Sequence, residues 1–474
     1  MKLKLRLSPL LLCVACCLSA LINSSIAEDQ VEKQITSAAH GHILTNTGVW
    51  SPDSKWVIYD VRSDAAGDNF DGQRIERVNL DSGEVEVLFE SRNEAHCGVA
   101  TTSPTDDRIV FIHGPENPDD QWQYAAFHRR GVIVHADNPD KHENLDARDI
   151  VAPFTPGALR GGTHVHTFSG DGKWVAFTYE DHVLANLDAI DKEGDANGSH
   201  DENQRNVGVS APIRAVSPPQ SHPRNHGGSH FSALVTRTTS TPRSGSDDIT
   251  RAFSDAWIGT DGYLRTDGTR QKKSIAFQGH VLTQSGDIIP EVFVVDLPED
   301  ISQESDQGPL QGTRHQRPQP PEGTKQRRLT FTTDRKHPGI QGVRHWLRSS
   351  PDGSKIAFLM KSDEGVPQLW TVSPNGGEAK QLTHNPHPIS SAFSWSPDGK
   401  QIAHAMDGSI CITLADSGKT IRLTDKDAGT IRPEACVFSP DGTKIAYVRH
   451  ISENGQTRNQ IFILDVAAAL AKGT

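Results

Sequence analysis

The chain has 474 residues, with 48 basic and 60 acidic side chains and a formal net charge of −12 at pH 7. An acidic surface repels polyanions at long range, so this composition disfavours nucleic-acid binding. A local basic patch remains compatible with binding of a small anion.

The first residues have the pattern of a cleaved export signal. Three basic residues within the first six precede an apolar run at 7–22, and Ser25 and Ala27 supply small residues before the expected cleavage point. We predict a signal peptide at 1–27 and a periplasmic or secreted mature protein. A lipoprotein anchored at Cys16 is the less favoured alternative. No later segment is apolar enough to cross a bilayer.

Cleavage of this signal leaves 45 basic against 60 acidic residues and three cysteines, Cys97, Cys411 and Cys436. This odd number contains no CxxC pair, so the sequence favours neither a disulfide framework nor a cysteine-ligated zinc site. Whether two of the three form a disulfide stays open.

A short motif recurs along the rest of the chain. Six clear copies are WSPDSKWVIYDV at Trp50, TSPTDDRIVFIHG at Thr102, FSGDGKWVAFTYE at Phe168, SSPDGSKIAFLMK at Ser349, WSPDGKQIAHAM at Trp395 and FSPDGTKIAYVRH at Phe438. In each, an apolar strand enters a Ser-Pro-Asp-Gly-like turn and a second strand leaves it, because Pro presets φ and Gly accepts a positive φ. A seventh copy is split: HFSALVTRTT at His230 is its expected first strand, and KSIAFQGHV at Lys273 is its second.

Two further strands follow in most copies, and the last of them ends in Leu-Thr. Four antiparallel strands per repeat, at a spacing of 43 to 46 residues in the C-terminal copies, indicate propeller blades. We therefore predict an all-β fold, a single seven-bladed β-propeller over 28–474. Long insertions are expected at 181–205, 240–272 and 299–326. The segment KQITSA at Lys33 has the form of an outer strand, so we expect the N-terminus to complete the seventh blade and remove an open edge.

These repeats resemble the Pro-Asp repeats of TolB-like propellers over nearly the whole mature chain. The stretches FIHGPENPDDQW, HRRGVIV, TPGALRGGTHVHTFS and DHV are more specifically similar to an uncharacterised family of bacterial exported propellers, over roughly residues 35 to 300. A looser similarity is to oligogalacturonate lyases, which are seven-bladed propellers that use a histidine-bound metal. The resemblance implies the fold and leaves the activity open.

The long irregular connections are expected mostly on the face opposite the Ser-Pro-Asp-Gly turns. On the predicted topology, 62–74, 114–130 and 181–205 join second to third strands, and 152–163, 217–229 and 333–344 join neighbouring blades. The insertion at 240–272 is expected on the turn face instead. Binding residues concentrate on such loops, so the long-loop face is the expected functional face.

Five histidines lie at or just before predicted innermost strands, where they would surround part of one channel mouth: His96, His164, His166, His230 and His345. Converging imidazoles suit a divalent metal such as Mn²⁺ or Zn²⁺. The i, i+2 spacing of His164 and His166 would put both side chains on one face of a strand. For each histidine, a hydrogen-bonded structural role is the open alternative.

Other polar residues are expected on the same face, where guanidinium groups suit a carboxylate or sulfate ligand. The candidate ligand-binding residues are Arg129, Arg130, Arg160, Arg344, His113 and His182. No catalytic residue can be assigned, and the sequence contains no GxSxG nucleophile motif, P-loop or Rossmann fingerprint.

Two classes of function fit these patterns. The favoured one is a monomeric binding propeller that recognises a saccharide, a small anion or a protein at the histidine- and arginine-rich funnel. The alternative is a metal-dependent polysaccharide lyase of the oligogalacturonate-lyase type, in which a metal would acidify the proton beside a uronate carboxylate.

Overall fold

Apolar strands joined by short turns form seven four-stranded antiparallel sheets in the computed structural model of the protein. The structure describes residues 31–64, 67, 69–192, 200–342, 346–426 and 429–472. Strand order within six of the sheets follows the chain, as in a propeller blade. The predicted all-β, seven-bladed propeller is confirmed.

The chain begins with β1 (Glu32–Gln34) and then forms blade 1 from β2 (Gly41–Ile43), β3 (Trp56–Arg62), β4 (Arg74–Asn79) and β5 (Val85–Glu90). Blade 2 contains β6 (Cys97–Thr102), β7 (Arg108–His113), β8 (Arg130–His135) and β9 (Asn138–Asn144), and the short strands β10 (Ala147–Arg148) and β11 (Ala158–Leu159) pair after it. Blade 3 contains β12 (Gly161–Phe168), β13 (Val175–Asp181), helix α1 (His182–Lys192), β14 (Asn206–Ala211) and β15 (Phe231–Leu234).

Blade 4 contains β16 (Ile249–Trp257), the hairpin β17 (Tyr263–Leu264) and β18 (Arg270–Gln271), then β19 (Ser274–Leu282), β20 (Ile288–Asp296) and β21 (Lys325–Arg328). Blade 5 contains β22 (Arg348–Ser349), β23 (Ile356–Lys361), β24 (Pro367–Val372) and β25 (Lys380–Gln381). Blade 6 contains β26 (Ser394–Trp395), β27 (Gln401–Met406), β28 (Ser409–Leu414) and β29 (Thr420–Arg422). Blade 7 contains β30 (Ile431–Phe438), β31 (Lys444–Glu453) and β32 (Gln456–Asp465), and helix α2 (Val466–Lys472) follows.

The N-terminal strand closes the ring as predicted. Strand β1 pairs antiparallel with β32, with Glu32 opposite Leu464 and Gln34 opposite Phe462. The Glu32 carboxylate accepts hydrogen bonds of 3.1 and 3.0 Å from Arg449, whose side chain is completely buried. The first described strand of the chain is therefore the outer strand of its last blade.

Each Ser-Pro-Asp-Gly turn satisfies its own polar groups. In blade 6, Ser396 Oγ donates to Asp398 Oδ1 at 2.7 Å and accepts from the amide of Gln401 at 2.9 Å. Gly399 adopts a φ of 70°, which glycine tolerates without strain. These local bonds make the turns compact, in agreement with a structural role for the repeat motif.

The fourth blade differs from the expectation. Residues 231–234 form β15, the outer strand of blade 3, in which Ala233 lies opposite Val209. The innermost strand of blade 4 is β16, which lies inside the predicted 240–272 insertion. The assignment of His230 to an innermost strand is therefore wrong, and 217–229 joins two strands of blade 3 rather than two blades. Only the hairpin β17–β18 follows β16 toward the turn face, where Thr260 donates its amide to the carbonyl of Pro351.

The apolar core lies between successive blades. One cluster joins Val207 and Val209 of blade 3 to Phe277 and Val295 of blade 4, and all four side chains are fully buried. Burial of each such side chain contributes roughly 1.5–3 kcal/mol, so this packing between blades stabilises the ring. Among the described residues, no helix is long and apolar enough to span a membrane. The predicted signal peptide lies outside the described residues.

The cysteines Cys97, Cys411 and Cys436 are buried free thiols. Burial raises the pKa of each, to about 12 for Cys411, so none of them is reactive at neutral pH.

Candidate functional site

The innermost strands of blades 2, 3 and 4 share a β-bulge that sets the direction of their channel-facing side chains. Val99, Val165 and Ser254 each adopt a positive φ, between 52° and 58°, at a register shift against the next strand. In blade 2, Asp60 of the neighbouring blade accepts the amide hydrogen of Val99 at 3.0 Å. Side chains normally alternate between the two faces of a strand. Because a bulge interrupts this alternation, two residues separated by one position across the bulge no longer lie on the same face.

The bulge at Val165 separates the histidine pair of β12. His166 is fully buried between blades 2 and 3, with its Nε2 2.9 Å from Thr163 Oγ1. A Cβ atom on Gly131 would lie 2.8 Å from that same nitrogen. Burial lowers the pKa of His166 to about 3, so the ring is neutral. The expectation that both rings share one strand face is wrong, because left-handed Val165 rotates the chain between them.

His164 lies among cations instead. His164 is partly exposed as a whole, but its Nδ1 atom is buried and has no hydrogen-bond partner. Burial, followed by the charges of Arg129 and Arg205, lowers the pKa of His164 well below its ordinary value. The neutral imidazole therefore offers one N–H donor and one lone pair at pH 7.

The charges of three arginines, Arg129, Arg205 and Arg62, act on His164. Together with the carboxylates that pair with two of them and with Arg251, whose charge interacts with Arg205 and Glu180, they form what we call the channel-mouth cluster: Arg62, Arg129, Arg205, Arg251, Asp60 and Glu180. Arg62 Nε donates to Asp60 at 2.6 Å, and Arg205 Nε donates to Glu180 at 2.8 Å. Arg129 lies over the ring of Tyr124. The cluster has four positive charges against two negative ones in a chain of negative net charge.

Arg62, Arg205 and Arg251 were not predicted as site residues. Arg62 ends β3 where the 62–74 connection begins, and Arg205 directly precedes β14. Arg251 lies near the start of β16, inside the misassigned insertion. The criterion that selected the histidines, a position at a strand end on the long-loop face, would have found the first two.

The remaining predicted metal ligands are His96, His230 and His345. His96 precedes β6, and its buried Nδ1 has no hydrogen-bond partner. His230 lies against the end of blade 2, where its amide donates to Leu145 and its Nδ1 lies 2.9 Å from Ser229 Oγ. Burial lowers the pKa of His230 to about 4. His345 lies outside the described residues.

Arg160 is bound by other protein groups. Its side chain is 1% exposed, and its Nε donates to Asp181 Oδ2 at 2.7 Å. A second guanidinium nitrogen donates to the carbonyl of Thr313. Arg160 therefore links the end of β13 in blade 3 to the β20–β21 connection of blade 4. Arg344 lies outside the described residues.

His113 and Arg130 come together at a separate cleft between blades 1 and 2. A cavity of about 500 Å³ is lined there by His113, Glu116 and His142, and Arg130 lines an adjoining cavity of about 270 Å³. Arg130 donates to Glu116 Oε1 at 2.8 Å. Burial and the charge of Arg130 lower the pKa of His113 to about 4. The cleft is polar, but its arginine already has a counterion.

His182 belongs to an aromatic cluster in the connections of blades 2 and 3. Asn186 donates to His182 Nε2 at 3.0 Å, so His182 Nδ1 carries the hydrogen and donates to His128 Nε2, also at 3.0 Å. Trp122 stacks on His128 with ring centroids 3.8 Å apart. His182, Trp122 and His128 all lie in stretches that carry the family resemblance, but of the three only His182 was predicted as a site residue. The ring nitrogens of both histidines have hydrogen-bond partners within the protein, so the cluster offers few polar groups to a ligand.

The predicted metal site does not fit this geometry. Within the described ranges, no three His, Cys, Asp or Glu side chains come close enough together to hold a metal ion. Of the five proposed ligands, one lies between blades, one lies at the rim of blade 3 and one is outside the described residues. The guanidinium groups around His164 favour an anion over a cation.

The fold and the arginine-rich channel mouth define this chain as a seven-bladed β-propeller closed by its N-terminal strand. The chain belongs to the same family as the uncharacterized protein YidR of Escherichia coli (strain K12). The two are 46% identical over 433 residues, which cover 90% of this chain and 96% of YidR. A family model described as a protein of unknown function, DUF3748, matches residues 96–226. The expected membership of an uncharacterised family is confirmed.

Solved structures resemble this chain to different degrees at low sequence identity. An oligogalacturonate lyase in complex with manganese is 11% identical, with a TM-score of 0.53 and coverage of 92% of this chain and 94% of that chain. TolB from Acinetobacter baumannii is 14% identical, with a TM-score of 0.36 and coverage of 87% and 80%. These likenesses concern the propeller fold alone.

Proposed function

We propose that this protein is an exported, non-catalytic binding propeller that recognises a small carboxylate-bearing ligand, such as an acidic saccharide, at the channel mouth. The observation that carries the proposal is the surplus of cations around His164. Arg62 and Arg205 are paired with Asp60 and Glu180, whereas Arg129 and Arg251 have no carboxylate within 4.0 Å in the described part of the chain.

The chemistry of these groups suits a carboxylate. A guanidinium group presents N–H donors in a planar fork that matches the two oxygens of a carboxylate. Burial, followed by the charge of Arg205, lowers the pKa of Arg251, because desolvation and a neighbouring cation both disfavour the charged form. An incoming anion would remove that penalty, and neutral His164 would add a hydrogen bond to a hydroxyl of the ligand.

A low-dielectric funnel also concentrates its electric field. The net positive cluster would attract anions to a protein whose overall charge repels them, and the attraction would weaken as salt rises. The salt dependence therefore separates this mode of binding from recognition of a neutral sugar. Export rests on the sequence pattern of residues 1–27, and detection of the mature N-terminus at residue 28 would test it.

The binding experiment compares ligands that differ only in charge. Isothermal titration with galacturonate oligomers and with the neutral galactose oligomers should show binding of the acidic series only. The Arg129→Gln, Arg251→Gln double variant should lose at least about tenfold in affinity, because each removes a charge-assisted contact. Arg74→Gln is the matched control, since Arg74 is an exposed arginine paired with Glu90.

Two results would overturn the proposal. Equal affinity for the charged and neutral series would remove the role of the arginines. Unchanged affinity in the double variant would move the site away from the channel mouth, for example to the cleft of His113 and Arg130.

Only the shared fold supports the alternative hypothesis of a lyase. The solved lyase binds manganese, but the described residues of this chain supply no triad of metal ligands. Incubation of the mature protein with galacturonate oligomers and manganese should produce no unsaturated uronate absorbance. Product formation that is lost in His164→Gln would establish the enzyme instead.

A further inference from the structure

A further cavity lies on the face of the Ser-Pro-Asp-Gly turns, at the end of the channel opposite the channel-mouth cluster. Its volume is about 350 Å³, and residues from all seven blades line it. The lining includes five aromatic side chains, Trp50, Phe168, Trp257, Trp395 and Phe438, and four prolines of the turns, Pro104, Pro351, Pro397 and Pro440. Serine and threonine residues also line the cavity, and aromatic walls combined with polar groups are typical of small-molecule sites.

One buried cation lines this cavity. Arg348 of β22 extends across the channel to Asn46 of blade 1, where it donates to the backbone carbonyl at 3.2 Å and to the side-chain oxygen. A second nitrogen donates to Leu347 at 2.7 Å. The residue is only 9% exposed, and its Nε has no hydrogen-bond partner.

The counterion of Arg348 is incomplete at neutral pH. Arg348 and Asp255 of β16 interact electrostatically, and each is the charged partner of the other. Burial raises the pKa of Asp255 to about 7, whereas the pKa of Arg348 falls only to about 10. The guanidinium group therefore stays charged while its carboxylate is partly protonated.

A second polar atom in the lining is also unsatisfied. The hydroxyl of Thr167 in β12 is buried and has no hydrogen-bond partner. Buried polar groups are rarely left unpaired, because each costs about 1–3 kcal/mol. An arginine Nε and a hydroxyl that both lack a hydrogen-bond partner in one aromatic cavity indicate a ligand that brings an anionic acceptor.

We propose that this cavity is a second binding site, which takes a small organic monocarboxylate with a flat apolar body. The carboxylate would accept hydrogen bonds from Arg348 and Thr167, and the apolar body would pack against the indole and phenyl rings. One buried cation suits one carboxylate, and a flat body fits between aromatic walls. The site is independent of the channel-mouth cluster, which lies at the other end of the channel.

Benzoate is a suitable probe, and benzamide is its neutral isostere. Titration followed by calorimetry and tryptophan fluorescence should show saturable binding of benzoate, with benzamide at least about tenfold weaker, because a charge-assisted bond is lost. Thr167→Val should weaken benzoate binding about fivefold while the melting temperature is retained, since the substitution keeps the shape and removes only an unpaired hydroxyl. Arg348→Gln should abolish binding.

The affinity should also fall from pH 6 to pH 8. Benzoate stays ionised over this range, but Asp255 loses its proton and then competes with the ligand for Arg348. The Arg129→Gln, Arg251→Gln variant should bind benzoate as the wild type does, which separates this site from the channel mouth.

Absence of saturable benzoate binding would overturn the proposal, as would equal binding of benzamide. Unchanged affinity in Thr167→Val together with a flat pH profile would overturn it as well, even if Arg348→Gln fails to fold.

Discussion

Replacement of Glu32 by Gln tests how strongly the N-terminal strand closes the ring. The substitution keeps the shape of the side chain and removes the counterion of Arg449, whose guanidinium group is completely buried. Arg449 keeps one hydrogen bond, of 3.1 Å, to the carbonyl of Gly429. Removal of one partner from a buried ion pair costs roughly 3–5 kcal/mol. Because the Glu32 side chain is 22% exposed, we expect the lower end, about 3 kcal/mol.

Urea unfolding followed by tryptophan fluorescence at pH 7 measures this loss. Glu90→Gln makes the same chemical change in an ion pair with Arg74, whose side chains are 48% and 56% exposed, and it should cost less than about 1 kcal/mol. Deletion of residues 28–40 should destabilise the ring more than Glu32→Gln, because an unpaired edge of β32 is left. Equal, small effects of Glu32→Gln and Glu90→Gln would refute the role of β1 as the structural closure of the ring.

Four further predictions concern the buried histidines and the hairpin. His166→Gln should lower the free energy of unfolding by about 1–3 kcal/mol and leave carboxylate affinity unchanged, whereas His164→Gln should do the reverse; equal stability losses would contradict the separation of the pair. Mn²⁺ or Zn²⁺ should raise the melting temperature of wild type and of the His164→Gln, His166→Gln variant equally or not at all, and a shift in wild type alone would restore the metal hypothesis. Several histidines are held neutral in the folded state with pKa values of about 3 to 4: His42, His113, His128, His166, His182, His230 and His404. They take up protons only on unfolding, so the urea midpoint should fall as the pH drops from about 6.5 to 4, and a flat profile would be inconsistent with their burial. Shortening the tip of the hairpin β17–β18 should leave binding at the channel mouth unchanged. Loss of binding with an intact fold would mean that the turn face, and not the long-loop face, binds the ligand.

The repeats made the architecture predictable because each turn carries its own geometry. In five of the six clear copies the turn serine donates to the aspartate two residues later, as Ser396 does to Asp398, so the motif marks the end of one inner strand and the start of the next. The first turn of blade 4 was not recognised in the sequence, because WIGTDG at Trp257 stands there instead of a Ser-Pro-Asp-Gly motif. Its tryptophan and its Asp-Gly pair were present as signals, since Trp50 and Trp395 also precede their turns.

The site was less predictable because it depends on directions that spacing does not encode. His164 and His166 looked like a pair only under regular alternation, and the positive φ of a valine between them is not a sequence signal. Arg160 and Arg129 have the same side chain, but Asp181 neutralises only the first. Which arginine remains available is decided by contacts between blades that are distant in sequence.

The contact of Arg348 with Asn46 has a mechanical consequence. Blades 1 and 5 are not neighbours, so this side chain links opposite sides of the ring across the channel and resists widening of the ring. This contact opposes the entry of a ligand by separation of the blades, so we expect each end of the channel to bind and release ligands through its own opening.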